Sequence, residues 1–442
     1  MHLTYRNVND AFRTVMQEMD WGTIRSVITE TRNGPCRTIR GPVILEYTSP
    51  KERVLWNEAR DANPFFHVIE ALWMLAGRND VETLDWFNSN MKSYSDDGKT
   101  FHAAYGHRWY NLATPHCNPQ FCGPPFDQCG YIQADCDQPL NQLRDVVQLL
   151  SDQPNTRRCV LSMWDPLDLH KVVTDPTCKD VACNTHIYFE LEPHRVWREG
   201  QYHGLPIRHT DKEFTEYKLN MTVCNRSNDV LWGALGANYV HMSFLQEYIA
   251  ACVDYHLPDG SVQVGTYYQF TNNLHLYKDK QDTVSWLKDS TPDYYKQPGY
   301  TPLPLVLNAI TFTEEVQLAM DVIASFKSGT RSKPTSGLFQ EPFLESVFLP
   351  MLHAWTFHKH RNYPMALYHA SLIRSPDWAR ACKQWLARRE ANYLMTRKTR
   401  PIDPPTSPKE VQANTQANEP SPTVHSNPTP RQDDHPVPRD EG

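Results

Sequence analysis

The sequence predicts an α+β protein, with strands and helices interspersed along the chain and a helical C-terminal region. Two kinds of observation carry this. Apolar and polar residues alternate over 43–47, 186–191 and 217–225, the period of a half-buried strand. Apolar residues recur at helical spacing over 64–75 and 239–253, and residues from about 340 to 396 read as helical throughout.

The chain has 442 residues, enough for one large domain or two medium ones, and a formal net charge of −7. That balance excludes a dedicated duplex-DNA binder, which carries a basic face, but not a small anionic substrate held by a few arginines. The N-terminus lacks an apolar signal region, and no stretch reaches the ~18 apolar residues of a membrane helix. The expected compartment is therefore the cytoplasm (the host's, for a viral protein), where the eleven cysteines stay reduced. Direct nucleic-acid binding and membrane contact are not expected.

Residues 1–30 read as a helix, with Phe12, Val15, Met16 and Met19 in register. Asn33-Gly34-Pro35 marks a turn, so Arg32 and Arg37 fall on a loop, as solvated charges or as an anion clamp. Val43 to Tyr47 reads as a strand. Asn63-Pro64 opens a helix with proline in its first turn, and Gly77 stops it. Glu70 interrupts that helix's apolar run, either as a surface charge or as a partly buried acid suited to proton transfer. Tyr105-Gly106-His107-Arg108-Trp109 is a dense polar and aromatic cluster.

Residues 110–138 break the pattern and carry Cys117, Cys122, Cys129 and Cys136. Their spacing lacks the close pairs of a zinc site, so a surface insertion with reduced thiols is expected and no metal is assigned; structural zinc is the alternative. A helix at 140–151 leads to Arg157-Arg158 and a strand from Cys159 to Trp164. Adjacent arginines are usually solvated, and they also suit bidentate phosphate contacts.

Cys183 sits just before the alternating run His186 to Leu191. A thiol at a strand entrance is positioned by backbone, as a nucleophile must be; the alternative is a small buried apolar residue. Residues 193–217 read as a polar connection. The strand Tyr217 to Asn225 then exits into Arg226-Ser227-Asn228-Asp229. A helix at 239–253 and a strand region from Val264 to Tyr277 follow, the latter placing His275 and Tyr277 on one face. Residues 280–335 look less regular. From Pro401 onward proline recurs with almost no apolar anchors, the composition of a disordered tail. The expected organisation is a catalytic domain at 1–280, a mostly helical extension at 281–400 and a disordered tail at 401–442.

In order and spacing, Arg32, Glu70, Tyr105, Arg157-Arg158, Trp164-Asp165-Pro166, Cys183, Arg226-Ser227, Asp229, Asn238 and His275-x-Tyr277 resemble the thymidylate synthase superfamily over roughly residues 10–280. The resemblance implies a bent mixed β-sheet flanked by helices, packed back to back in a homodimer. It implies deoxyuridylate and 5,10-methylenetetrahydrofolate as substrates. Cys183 would add to C6 of the uracil ring and make C5 nucleophilic, a task suited to a thiolate that is both a strong nucleophile and a leaving group. Arg32, Arg157, Arg158, Arg226 and Ser227 would hold the phosphate, with the paired arginines serving the neighbouring subunit. His275 and Tyr277 would bond the deoxyribose hydroxyl. Glu70 and Tyr105 would organise proton transfers, and Asp229 would face the folate and ring region.

Three departures separate the chain from the synthase. Asn184-Thr185 follows the cysteine where the synthase has His-Thr. Asn228 precedes Asp229, as in the phage deoxycytidylate hydroxymethylase. The chain also continues far past the point where the synthase ends in an apolar closing tail. A synthase excludes water and delivers hydride to the C5 methylene, whereas a hydroxymethylase admits water. The expectation is therefore a phage-type deoxyuridylate 5-hydroxymethylase. Thymidylate synthase is the alternative, and a catalytically silent nucleotide-binding homologue the distant one. Asn238 favours uracil, because an amide both donates and accepts, while a carboxylate pairs better with the amino face of cytosine.

Overall fold

A computed structural model describes residues 1–21, 26–31, 34–112, 140–197, 214–257, 260–277, 291–330 and 336–399. Arg32, the four-cysteine segment and the tail from 401 lie outside the described residues. The chain divides into a compact unit, Met1–Ala391, and a second unit, Asn392–Gly442, of which only the helical residues 392–399 are described.

The large unit is α+β and is organised on a six-stranded mixed sheet. Its strands are β1 (His2–Tyr5), β4 (Val43–Tyr47), β5 (Val160–Ser162), β6 (Asn184–Trp197), β7 (Phe214–Asn225) and β9 (Gly260–Thr271), in the order β1-β4-β9-β7-β6-β5. The pairs β1/β4 and β7/β9 are parallel and the rest antiparallel. Register shifts at Asn184/His186, Pro193/Arg195 and Leu219/Met221 insert residues into one strand of a pair, which bends and twists the sheet. A second sheet, in the order β2-β3-β10-β8, joins β2 (Ser26–Thr29), β3 (Cys36–Ile39), β10 (Leu274–Tyr277) and the two-residue β8 (Asn228–Asp229).

One face of the large sheet carries Leu45, Tyr47, Ile187, Phe189, Leu219, Met221, Val223 and Tyr267, all buried. The core on that side includes α1 (Val8–Trp21), α2 (Pro64–Leu75) and α7 (Ala237–His256). The Asn63 side chain accepts the Phe66 N–H and Pro64 takes the first turn, so α2 begins where the sequence places it. Every residue of α2 except Glu70 is buried. The short α4 (Tyr105–Tyr110) crosses α2 so closely that a Cβ on Gly106 would lie 2.0 Å from the Met74 carbonyl oxygen. Glycine is required there for the backbones to meet, and the crossing places Tyr105.

The C-terminal helices complete this core. They are α8 (Ala309–Lys327), α9 (Leu349–Lys359), α10 (Tyr363–Ser371) and α11 (Pro376–Thr399). Phe65 of α2 meets Trp355 of α9 and Trp385 of α11 at ring distances of 5.5 and 5.6 Å. A buried ion pair joins Arg53 to Glu247 of α7, and the second Glu247 oxygen accepts the Leu305 N–H at 3.0 Å.

Four sequence expectations are corrected. Residues 1–30 are a strand, a helix and a strand rather than one helix. Asn7 Oδ1 accepts the N–H groups of Asn9 and Asp10 and starts α1 at Val8, freeing His2–Tyr5 to pair with β4. The described parts of 193–217, residues 193–197 and 214–217, are strand, because the β6/β7 ladder runs through Pro193 by means of a bulge. The 264–277 region breaks at Asn272-Asn273, and its last four residues join the second sheet. Within 280–335, Asn308 caps α8, whose Phe312, Val316, Ala319, Met320 and Ile323 are buried at helical spacing.

On α9, His353 and His358 are held neutral by burial, each pushed down to about 4; His369 adds to this at His353, and Arg389 and Lys359 at His358. Depressed histidines stabilise the fold above the ordinary pKa near 6.5, and that stability drains away as pH falls toward 4. Melting scans between pH 7.5 and 4.5 are expected to show a fall of several degrees. The fall should be shallower in the His353→Phe, His358→Phe double variant.

Candidate active site

The site lies where β6 begins and β7 ends, next to β8 and beside α2, α4 and the start of α7. Cys183 immediately precedes β6 and is half-buried. Its N–H and that of Asn184 both donate to the Tyr105 hydroxyl, at 3.2 and 3.4 Å. With its oxygen so occupied, Tyr105 keeps its own proton to donate. Burial, and secondarily the neighbouring thiol's charge, pushes that hydroxyl well above the usual tyrosine range, so it stays neutral.

Arg226 locks the cysteine's loop from the other side. Its Nε donates to the Ala182 carbonyl at 2.8 Å and its Nη2 to that of Val181 at 3.1 Å, and Nη2 lies 3.8 Å from Cys183 Sγ. Ser227 Oγ is 3.5 Å from His275 Nδ1, and the His275 ring meets the Tyr277 ring at 5.3 Å. The alternation of β10 thus delivers both rings to one face, as its sequence implies.

Asp229 pairs in register with His275 across β8 and β10. Its Oδ1 accepts the Trp232 N–H at 2.6 Å and caps the turn Val230–Ala234, while its buried Oδ2 has no hydrogen-bond partner among the described residues. Burial raises its carboxyl above the usual range, against the opposing pull of the Trp232 N–H and of His275. Asn238, in the first turn of α7, donates from Nδ2 to Asn228 Oδ1 at 3.0 Å. A Cβ on Gly233 would fall 1.9 Å from that Asn228 oxygen, so glycine makes room for the amide pair.

Glu70, Tyr105 and Asn238 line one cleft of about 220 Å³, together with His241 and Ala182, the residue before Cys183. Glu70 Oε2 lies 3.1 Å from His241 Nε2. Arg60 donates to the Leu231 carbonyl at 3.0 Å and lies 4.5 Å over the exposed Trp232 ring. Its neighbour Asp61, at φ 49°, is gripped by Arg388 and Arg389 of α11, so the C-terminal helix tethers the segment carrying Arg60.

The structure therefore gathers Glu70, Tyr105, Cys183, Arg226, Ser227, Asp229, Asn238, His275 and Tyr277 in one region. Arg157 and Arg158 are different: both are exposed ahead of β5, at the sheet edge, and neither lines the cleft. Sequence reasoning missed His241 and Arg60, and read Asn228 as a departure from the synthase without foreseeing its bond to Asn238. The only signal for His241 was its spacing of three from Asn238, one turn along the same helix face. Among the described residues, no group of three or more His, Cys, Asp and Glu is placed to hold a metal ion.

Comparison with known proteins places this geometry. The sequence model of the thymidylate synthase family matches residues 59–299. The chain is 33% identical to a deoxyuridylate hydroxymethyltransferase of Pseudomonas phage M6, over 90% of this chain and 97% of that protein. It is 34% identical to a deoxyuridylate hydroxymethyltransferase of Bacillus phage SP01, over 61% of this chain and 56% of that one. Against the thymidylate synthase of Saccharomyces cerevisiae the identity is 24%, over 49% of this chain and 62% of the enzyme.

Proposed function

This chain belongs to the thymidylate synthase family, and from that we propose that it is a deoxyuridylate 5-hydroxymethylase, transferring one carbon from methylenetetrahydrofolate to C5 of deoxyuridylate and finishing with water. The observation that carries the reading is the likeness to a phage deoxyuridylate hydroxymethyltransferase over nearly the whole length of both chains, C-terminal helices included.

In this reading Cys183 attacks C6, guided by the bonds from its own and the next N–H to Tyr105 and by Arg226 beside its sulfur. Arg226 and Ser227 face the nucleotide phosphate. His275 and Tyr277 take the sugar hydroxyl. Arg157 and Arg158, outside their own cleft, serve the site of a second copy. The outer face of the large sheet suits such a homodimer, since Tyr188 and Val160 stand 44% and 45% exposed there and at its edge. The folate co-substrate fits the residues present: Asp229 Oδ2 is a buried polar atom without a partner among the described residues, and Trp232 offers a flat exposed ring close by. When bound, the folate supplies the carbon.

Asn228 holds the Asn238 amide so that its Oδ1 remains free to accept from uracil N3–H, and its second N–H to meet O4. Asn238→Asp is expected to reverse the base preference, losing about 10–100-fold in kcat/KM on deoxyuridylate and gaining activity on deoxycytidylate. Release of tritium from the C5-labelled nucleotides measures both. An unchanged preference in the variant would remove Asn238 from base selection, and no release from deoxyuridylate by the parent enzyme would count against the reading as a whole.

A further inference from the structure

A hydroxymethylase needs something its reducing relatives do not: a place where one water is held and deprotonated next to the C5 methylene. The cleft lined by Tyr105 and Asn238 holds two polar groups suited to the task. Much of its wall is apolar, with Trp73, Met74, Leu84 and Phe101, but Glu70 and His241 converge at one point. Glu70 Oε2 and His241 Nε2 are 3.1 Å apart, His241 is only 4% exposed, and both atoms are buried. Close as they are, neither makes an aligned hydrogen bond to any group among the described residues. Two buried polar atoms left in this state at the edge of a cleft form a site for a bound water, which needs two or more polar partners.

Resting on the hydroxymethylase reading, we propose that His241 and Glu70 act together as the base that takes the proton of the water ending the reaction, making His241 a catalytic residue. The step balances. With C6 bonded to Cys183 and an exocyclic methylene on C5, the water oxygen bonds to the methylene carbon and its proton passes to the pair. The methylene π electrons move through C5 onto O4 as an enolate. The enolate then collapses to restore C5=C6, and the C6–S bond breaks to release the Cys183 thiolate. No oxidant or reductant is consumed. Over the whole cycle the protons balance: tetrahydrofolate leaves with two added hydrogens, one matched by the hydrogen lost from C5 and the other by a proton that the later water returns.

His67, one turn before Glu70 on α2, does not compete for the proton. Burial, with the Arg60 guanidinium beside it, holds it well below the usual histidine range and so neutral.

The test uses the full chain, C5-tritiated deoxyuridylate, methylenetetrahydrofolate and added mercaptoethanol. Tritium release reports every step up to the exocyclic methylene, and mass spectrometry reports what then adds to it. The parent enzyme is expected to form one hydroxymethyl product per tritium released. In His241→Asn and His241→Gln, hydroxymethyl product per tritium is expected to fall at least ~10-fold, with the thioether of mercaptoethanol appearing in its place. A proportional loss of release and product in both variants overturns the role, because a merely structural histidine would affect the two alike. Loss in both variants of the covalent adduct of Cys183 with 5-fluorodeoxyuridylate also overturns it. Thymidylate and dihydrofolate from the parent enzyme would instead overturn the hydroxymethylase reading beneath it.

Discussion

Replacing Cys183 with serine is expected to abolish turnover, by roughly four orders of magnitude or more, while leaving the melting temperature nearly unchanged. The side chain is half-buried, and what holds its loop does not depend on sulfur. Tyr105 accepts backbone N–H groups, and Arg226 donates to the carbonyls of Val181 and Ala182. A serine hydroxyl at that point is almost fully protonated near neutral pH and lacks the nucleophilicity to add to C6. Tritium release from C5 should disappear along with product, since the cysteine acts before the proton is lost. Release that persisted in the serine variant would show that the reaction does not pass through Cys183.

The largest stability effect is expected at Glu247. Its carboxylate is buried against Arg53, which is itself 4% exposed and lies 4.6 Å over the Phe244 ring. Glu247→Gln keeps the volume and an acceptor for the Leu305 N–H, but leaves the guanidinium as an uncompensated buried charge. Breaking such a pair from one side costs about 3–5 kcal/mol. At this chain size that is a fall of roughly 3–6 °C in Tm by calorimetry. The double variant Arg53→Met, Glu247→Leu should recover much of the loss, because two apolar groups leave no charge stranded. Equal destabilisation in the single and double variants would mean that packing, and not charge, is what the pair supplies.

The two variants separate what could be read from the sequence and what could not. Cys183 was legible because its signals are local: a thiol before a clean alternation, and a strand that starts at Asn184. The same holds for Asn63-Pro64, which caps α2, and for His275 and Tyr277, which period two places together. The pairing of Arg53 with Glu247 was not legible. It joins a loop and a helix nearly two hundred positions apart, and nothing local marks either residue. His241 was hidden for another reason. Helix α7 is buried almost all round, so no apolar stripe shows which side meets the cleft. The second sheet escaped because β8 has two residues, too few for any period, and exists through its pairing with β10. Strand β6 was cut short at Pro193, where a bulge lets the ladder continue. Arg157 and Arg158 were expected at the phosphate, and in one chain they are simply exposed.

The central claim is that water, rather than hydride, completes the reaction. Purified protein would be incubated with deoxyuridylate and methylenetetrahydrofolate, the nucleotide weighed by mass spectrometry and dihydrofolate followed by absorbance. The expected product is deoxyuridylate heavier by one CH2O unit, with no dihydrofolate. A product heavier by CH2, with dihydrofolate rising in step, would contradict the account and make the enzyme a thymidylate synthase.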